Sequence, residues 1–278
     1  MINMELNKVY TGDSFELIKQ VDDDSIDLIV TSPPYADTKS YGKKINVLHP
    51  DKYVGWITPL FVEMNRTLKP TGSIIWNIDD KCHKKLRHTF VFDLIHHLTH
   101  HTDVKLYDYY IWSKKSFLPN GGQKRLNHVT EWILHFVKDQ NQVKFNMDEV
   151  REPYAKSTIK RCKKGIADYS VNEDGIKNSN PGIRNLNKKG KTPSNLFWFN
   201  TNATTKGNKH PAPFNKEIPL WFIKALTDEN DVVLDPFMGS GTTAKAAIEL
   251  NRQWLGFELN EEYIKMIEER IKIKQLSL

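Results

Sequence analysis

Ser32, Pro33, Pro34 and Tyr35 follow Asp27-Leu28-Ile29-Val30, a short apolar run that reads as a buried strand ending in Thr31. Neither proline can donate to a sheet ladder, and each restricts the residue before it, so the strand must stop in a stiff turn. Open α/β sheets bind ligands at the carboxyl ends of their strands. Here the turn offers a hydroxyl (Ser32), a carbonyl that no following amide can pair with locally (Pro33) and an aromatic face (Tyr35). That set suits a planar base with an exocyclic amino group: two acceptors for its N–H groups and a ring on which to stack. An ordinary strand-ending turn would carry the same residue types, and a short motif alone does not separate the two.

A second stretch does. Asp231-Val232-Val233-Leu234-Asp235 reads as another buried strand and runs into Pro236-Phe237-Met238-Gly239-Ser240-Gly241-Thr242-Thr243, with a helix from near Ala244. Gly239 and Gly241 let a ligand approach the backbone closely at a strand-to-helix turn. Glu258 closes the next apolar run about twenty residues on, the spacing at which a carboxylate binds ribose hydroxyls. Together, and with the proline turn first, the two stretches resemble the permuted beta group of DNA amino-methyltransferases that use S-adenosylmethionine. DPFMGSGTT is similar to their cofactor loop and TSPPY to their catalytic motif, and matching segments cover most of the chain outside residues 139–209.

The resemblance implies a Rossmann-like three-layer α/β fold: a mostly parallel sheet with a C-terminal antiparallel hairpin, a circularly permuted motif order and an inserted target-recognition region. It implies a catalytic half over 1–138, recognition over 139–209 and a cofactor-binding half over 210–278. Ser32, Pro33, Pro34 and Tyr35 take the catalytic positions. Asp13, Thr31, His210, Phe214, Asp235, Pro236, Phe237, Gly239, Ser240, Gly241, Thr242 and Glu258 take those around S-adenosylmethionine. Enzymes of the group that act on adenine usually carry Asp or Asn where Ser32 stands, so N4 of cytosine in double-stranded DNA is the expected target, with N6 of adenine as the alternative. A cognate restriction endonuclease is an expected partner, and the enzyme would act as a monomer or homodimer. Methylation of cytosine carbon-5 would need a cysteine nucleophile, typically after a proline, whereas Cys82 and Cys162 follow Lys81 and Arg161. Two remote alternatives are a nicotinamide dehydrogenase and a DNA-binding protein without catalysis; Gly239 to Ala244 formally fits GxGxxA, but only one further strand and helix follow it and a dehydrogenase accounts for neither TSPPY nor the basic segment.

The elements that must position these groups follow from periodicity. Leu6 to Tyr10 reads as a strand, then a Gly12-Asp13 turn and a helix from Ser14; Asp13 either caps that helix or, by the resemblance, lies beside the adenine. A helix is expected from Tyr53 to Leu68 and a strand from Gly72 to Ile78, together a parallel βαβ unit. His83 to His101 reads as a helix. His97 and His101 share a face there, but two histidines without a third ligand do not make a site, and no metal is expected. Val104 to Trp112 and Glu131 to Val137 read as antiparallel strands. The long loop between them, with Lys124 and Arg125, is expected against DNA. Glu217 to Leu226 and Glu261 to Lys274 read as helices.

The 278 residues carry 39% hydrophobic and 27% charged side chains, enough for a core, and a net charge of +6. Residues 151–209 hold thirteen Lys or Arg against four acids, a surplus of nine, so the remainder of the chain carries −3. Lys160, Arg161, Lys163, Lys164, Arg184, Lys188 and Lys189 are the candidate DNA contacts there, interleaved with asparagines able to read adenine edges; a solvated basic linker is the plain alternative. No long apolar run suggests a membrane span. Two distant cysteines outside any CxxC pair suit a reducing cytoplasm.

Overall fold

The computed structural model describes residues 4–36, 49–80, 82–83, 85–115, 124, 126–164, 169–171, 177–179, 186–199 and 214–275. In chain order the strands are β1 (Lys8–Thr11), β2 (Ile26–Thr31), β3 (Leu68–Ile78), β4 (Cys82–His83), β5 (Leu86–Arg87), β6 (Lys105–Lys114), β7 (Thr130–Val137), β8 (Tyr169–Val171), β9 (Lys177–Ser179), β10 (Leu196–Phe199), β11 (Val232–Asp235) and β12 (Gln253–Glu258). The helices are α1 (Ser14–Leu17), α2 (Pro50–Thr67), α3 (Phe90–His101), α4 (Lys156–Lys164), α5 (Glu217–Leu226), α6 (Thr242–Glu249) and α7 (Glu261–Gln275). Contacts divide the chain into two units, Met1–Phe145 with Asn195–Leu278, and Asn146–Ser194.

In the larger unit eight strands pair in the order β1-β12-β11-β2-β3-β7-β6-β10. Only β7 runs against its neighbours; β1, β12, β11, β2 and β3 pair in parallel, as do β10 and β6. The expected antiparallel hairpin is β6–β7, mid-chain, as the permuted order requires. All six residues of β2 are buried, because helices cover both faces of the central strands. Ile29, Ile74, Trp76 and Leu234 join one core with Tyr53, Ile57, Leu60, Phe61 and Met64 of α2 and Phe90, Leu94 and Leu98 of α3. Leu28, Val30, Ile75 and Val233 alternate with these and are equally buried, on the face that α5 meets along β2 and β3.

Two polar devices lie inside this core. At the start of β2, buried Asp27 accepts from Lys69 Nζ at 2.7 Å and from the Val232 amide at 2.9 Å, joining β2, β3 and β11. Fully buried His135 bridges Ser73 Oγ (2.9 Å) and the Tyr110 hydroxyl (3.2 Å). Burial lowers its pKa to about 3, so the ring stays neutral.

The helix expected over His83 to His101 begins only at Phe90. Before it the chain turns back as the β4–β5 hairpin, with Lys85 left-handed at φ 66°. Arg87 pairs with Asp80, and His88 Nδ1 accepts the Phe90 amide at 3.1 Å. These polar contacts favour the hairpin over another helical turn. The strand expected from Gly72 starts at Leu68, directly after α2, where Leu68 pairs with Ile26 at the start of β2 and Lys69 reaches Asp27.

In the smaller unit Glu152 and Lys191 form an antiparallel bridge. Gly190, at φ 118°, packs against the Glu152 carbonyl, where a Cβ would approach to 2.4 Å. Arg151 and Lys189 both pair with Asp148. The recognition region expected over 139–209 is wider than this unit, because β10 pairs with β6 in the main sheet.

Candidate active site

The carboxyl ends of β1, β12, β11, β2 and β3 lie side by side, and the residues singled out by type cluster there. Asp235 ends β11 and is fully buried. It accepts from Thr31 Oγ1 at 2.6 Å, Thr243 Oγ1 at 2.6 Å and the Phe237 amide at 3.0 Å. Burial raises its pKa to about 6, against the pull of those hydrogen bonds. The Thr31 bond ties the glycine turn to the proline turn across adjacent strands. The cofactor loop then winds through two left-handed glycines, Gly239 at φ 52° and Gly241 at φ 75°. A side chain at Gly241 would be strained by that φ and would also press on Ile267, 3.1 Å from its Cβ.

Glu258, ending β12, accepts the Gly239 amide at 2.8 Å and the Asn260 amide at 2.9 Å. Burial raises its pKa above the ordinary carboxylate value. Asp13, exposed at the end of β1, caps α1 through the Phe15 amide at 2.9 Å, and Ser14 Oγ donates to the Pro236 carbonyl. Thr242 opens α6, and Ser240, buried, lies 3.3 Å from it between hydroxyls. Phe237 packs near Trp56 and Trp76, at 6.4 and 6.2 Å between ring centroids. Phe214 is half-buried just before α5; His210 lies outside the described residues. A carboxylate one strand from a glycine turn whose backbone a ligand can approach, with aromatic rings beside it, fits the ribose and adenine of S-adenosylmethionine.

The proline turn at the end of β2 is held by a network that residue types alone did not reveal. Tyr35 keeps part of its ring exposed while its hydroxyl is buried. That hydroxyl lies 3.0 Å from Ser32 Oγ and donates to Glu131 Oε2 at 2.9 Å. Asn77, 1% exposed in β3, donates from Nδ2 to Tyr35 at 2.5 Å and to Glu131 at 2.7 Å. Glu131 is ion-paired with Lys114 Nζ at 2.7 Å, and Lys114 also reaches Asp79 at 3.4 Å. Burial works against the Lys114 ammonium, but Glu131 and Asp79 hold its pKa above the usual lysine value. Burial, reinforced by the Glu131 charge, lifts the Tyr35 pKa well above that of a free phenol.

Proton order follows from these partners. A carboxylate only accepts, so Tyr35 gives its single proton to Glu131. The Asn77 amide also donates to the phenol oxygen. Ser32 therefore donates its proton to Tyr35; its oxygen accepts only a long contact from Asn77 Nδ2, at 3.5 Å, and keeps a lone pair for an incoming N–H. Among the described residues the buried Asn77 carbonyl oxygen has no hydrogen-bond partner, an exception that calls for an explanation.

Asn77, Glu131 and Lys114 are the site residues that sequence reasoning missed. The signal was faint: one amide within the apolar run Gly72 to Ile78, and one acid opening Glu131 to Val137. Among the described residues, Asp79, Asp80 and His128 alone group three metal-ligand types. Lys114 and Arg87 already neutralise those carboxylates. His97 and His101 lie 5.0 Å apart between ring centroids, tilted by 37°, and belong to no such group among the described residues. Of the expected DNA contacts, Lys124, Lys160, Lys188 and Lys189 are exposed. Arg161, Lys163 and Lys164 lie on α4 with side chains that are not described, and Arg125 and Arg184 lie outside the described residues.

Fold and site together define an α/β methyltransferase acting on an amino group. Residues 26–269 match the family model for N6/N4 methyltransferases, described as a DNA methylase. The chain belongs to that family of DNA amino-methyltransferases. It is 29% identical to the type II methyltransferase M.BglII of Bacillus subtilis, over 93% of this chain and 67% of that protein. It is equally 29% identical to the DNA adenine methyltransferase YhdJ of Escherichia coli K12, over 94% and 81%. A solved PvuII DNA methyltransferase, described as cytosine-N4-specific, superposes with a TM-score of 0.73 over 96% of this chain and 86% of that one. Its identity is 24%, a likeness of fold.

Proposed function

We propose that this enzyme transfers a methyl group to N4 of cytosine at a specific site in double-stranded DNA. The observation that carries the reading is Ser32, a neutral hydroxyl whose proton is committed to Tyr35, beside the Pro33 carbonyl. The two acceptors take the two N–H groups of the target amine. They favour a pyramidal nitrogen and free the lone pair otherwise delocalised into the ring. When bound, S-adenosylmethionine supplies an electrophilic methyl on a sulfonium, which the amine takes as it becomes cationic and then loses one proton. No residue has to remove that proton beforehand, so a carboxylate or amide at position 32 is not required. Asp13, Thr31, Phe214, Glu258 and the turn from Asp235 to Thr242 hold the donor. Positioning the two reactants in line accounts for much of the rate. The target lies inside a duplex and is flipped out onto the Tyr35 ring.

Residues 139–209 carry target recognition, with Lys160, Lys188 and Lys189 on phosphates; the surplus of nine positive charges within 151–209 supports this. A cognate endonuclease as functional partner is supported by the type II naming of M.BglII. N6-adenine transfer is the second reading, favoured by the equal identity to YhdJ. Modification-sensitive sequencing of DNA from expressing cells, followed by digestion and mass spectrometry, should show N4-methylcytosine at one sequence. N6-methyladenine would reject the base assignment, and 5-methylcytosine the mechanism.

A further inference from the structure

Two leucines are the most exposed large apolar side chains among the described residues: Leu86 at 72% and Leu126 at 93%. A lone exposed leucine needs no explanation. These two, however, sit on separate segments fastened to the same pair of carboxylates. Leu86 lies in the β4–β5 hairpin next to Arg87, which pairs with Asp80. Leu126 lies two residues before His128, whose Nε2 reaches Asp79 at 2.6 Å and Asp80 at 3.4 Å. Asp79 and Asp80 follow the end of β3, two and three positions after Asn77. Through Lys114 and Glu131 the same ion pairs continue to Tyr35. The cluster that has metal-like spacing thus works as a staple, holding two loops at the catalytic edge of the sheet.

The sequence around both leucines is basic. The sequence from Lys81 to His88 has four Lys or Arg and no acid, and Lys124 and Arg125 precede Leu126. Apolar tips flanked by cations suit a duplex: the cations meet phosphates, and the tips enter the base stack. Extruding a base leaves a gap and costs unstacking, which a side chain in the gap offsets. We propose that Leu86 and Leu126 form a paired wedge that enters the duplex where the target base has left it, an inference that rests on the DNA-methylating reading above. Because the staple and the Tyr35–Glu131 network share Lys114, insertion of the wedge and capture of the base occur on one rigid frame.

The test compares two substrates at the methylated sequence: a matched duplex, and the same duplex with an abasic site opposite the target, where no pair has to be broken. The variant is Leu86→Ala with Leu126→Ala, and S-adenosylmethionine titration confirms that its cofactor site is intact. Its kcat/KM should fall about tenfold or more on the matched duplex and stay within about threefold of the wild type on the abasic one. Fluorescence of 2-aminopurine at the target position should show less extrusion, and Leu86→Phe should retain activity. An equal loss on both duplexes, or no loss on either, overturns the wedge. Should the double variant not fold, each single variant must show the same selectivity in smaller measure, or the wedge is rejected. A wild-type chain that methylates neither duplex removes the methyltransferase reading itself, and the wedge with it.

Discussion

Tyr35→Phe isolates the proton order at the active site. The substitution keeps the ring that stacks on the target and removes only the hydroxyl between Ser32, Asn77 and Glu131. Two hydrogen bonds disappear from the chain that commits the Ser32 proton: Ser32 to Tyr35 at 3.0 Å and Tyr35 to Glu131 at 2.9 Å. A hydrogen bond to a charged group contributes about 1.5–3 kcal/mol. If that stabilisation is felt only when the amine is bound and reacting, the rate falls about 10- to 150-fold. Single-turnover methyl transfer at saturating DNA and cofactor reads this directly, and a separate titration reads DNA affinity, which should hold within about twofold because the stacking face remains. Glu131→Gln should also be slow alone, and its effect should be less than additive with that of Tyr35→Phe, since part of it acts through the same hydroxyl. A wild-type rate for Tyr35→Phe, or a loss found wholly in DNA affinity, would refute the proton order.

Glu258→Ala should weaken S-adenosylmethionine binding about 10- to 150-fold by calorimetry, the range for losing a charged hydrogen bond; unchanged affinity would remove Glu258 from the cofactor site. Two buried groups should give the pH dependence of unfolding opposite slopes. His135 titrates near 3 in the fold against an unperturbed 6.5, so its stabilisation is present above 6.5 and declines below, by about 2 kcal/mol between pH 7 and pH 5. Asp235 titrates near 6 in the fold against 3.8, so the native state takes up its proton first and gains about 1 kcal/mol over the same interval. Urea melts of His135→Asn and Asp235→Asn should lose one slope each, and a variant with the full wild-type pH dependence would contradict the assigned burial.

Local features were legible in the chain because they are matters of covalent geometry and periodicity. Two successive prolines must end β2 wherever it lies, and two glycines beside a strand must make a turn that a ligand can approach. The helix Glu217–Leu226 follows from its apolar spacing. The hairpin at Cys82–Arg87 was not legible, because Asp80 and Arg87 outweigh the helical pattern of the histidine-rich run only once both are placed at the edge of the sheet. Likewise, residue types marked Ser32 as an acceptor but said nothing of its proton. Thr31 and Asp235 lie 204 positions apart and meet only because β2 and β11 pair; Glu131 lies 96 positions from Tyr35 and reaches it only because β7 runs antiparallel beside β3. The sequence by itself determined which groups end the strands and which chemistry they can support. Tertiary structure decided which way each hydroxyl points, since that depends on a carboxylate and an amide that strand order brings within 3 Å and that no local pattern encodes.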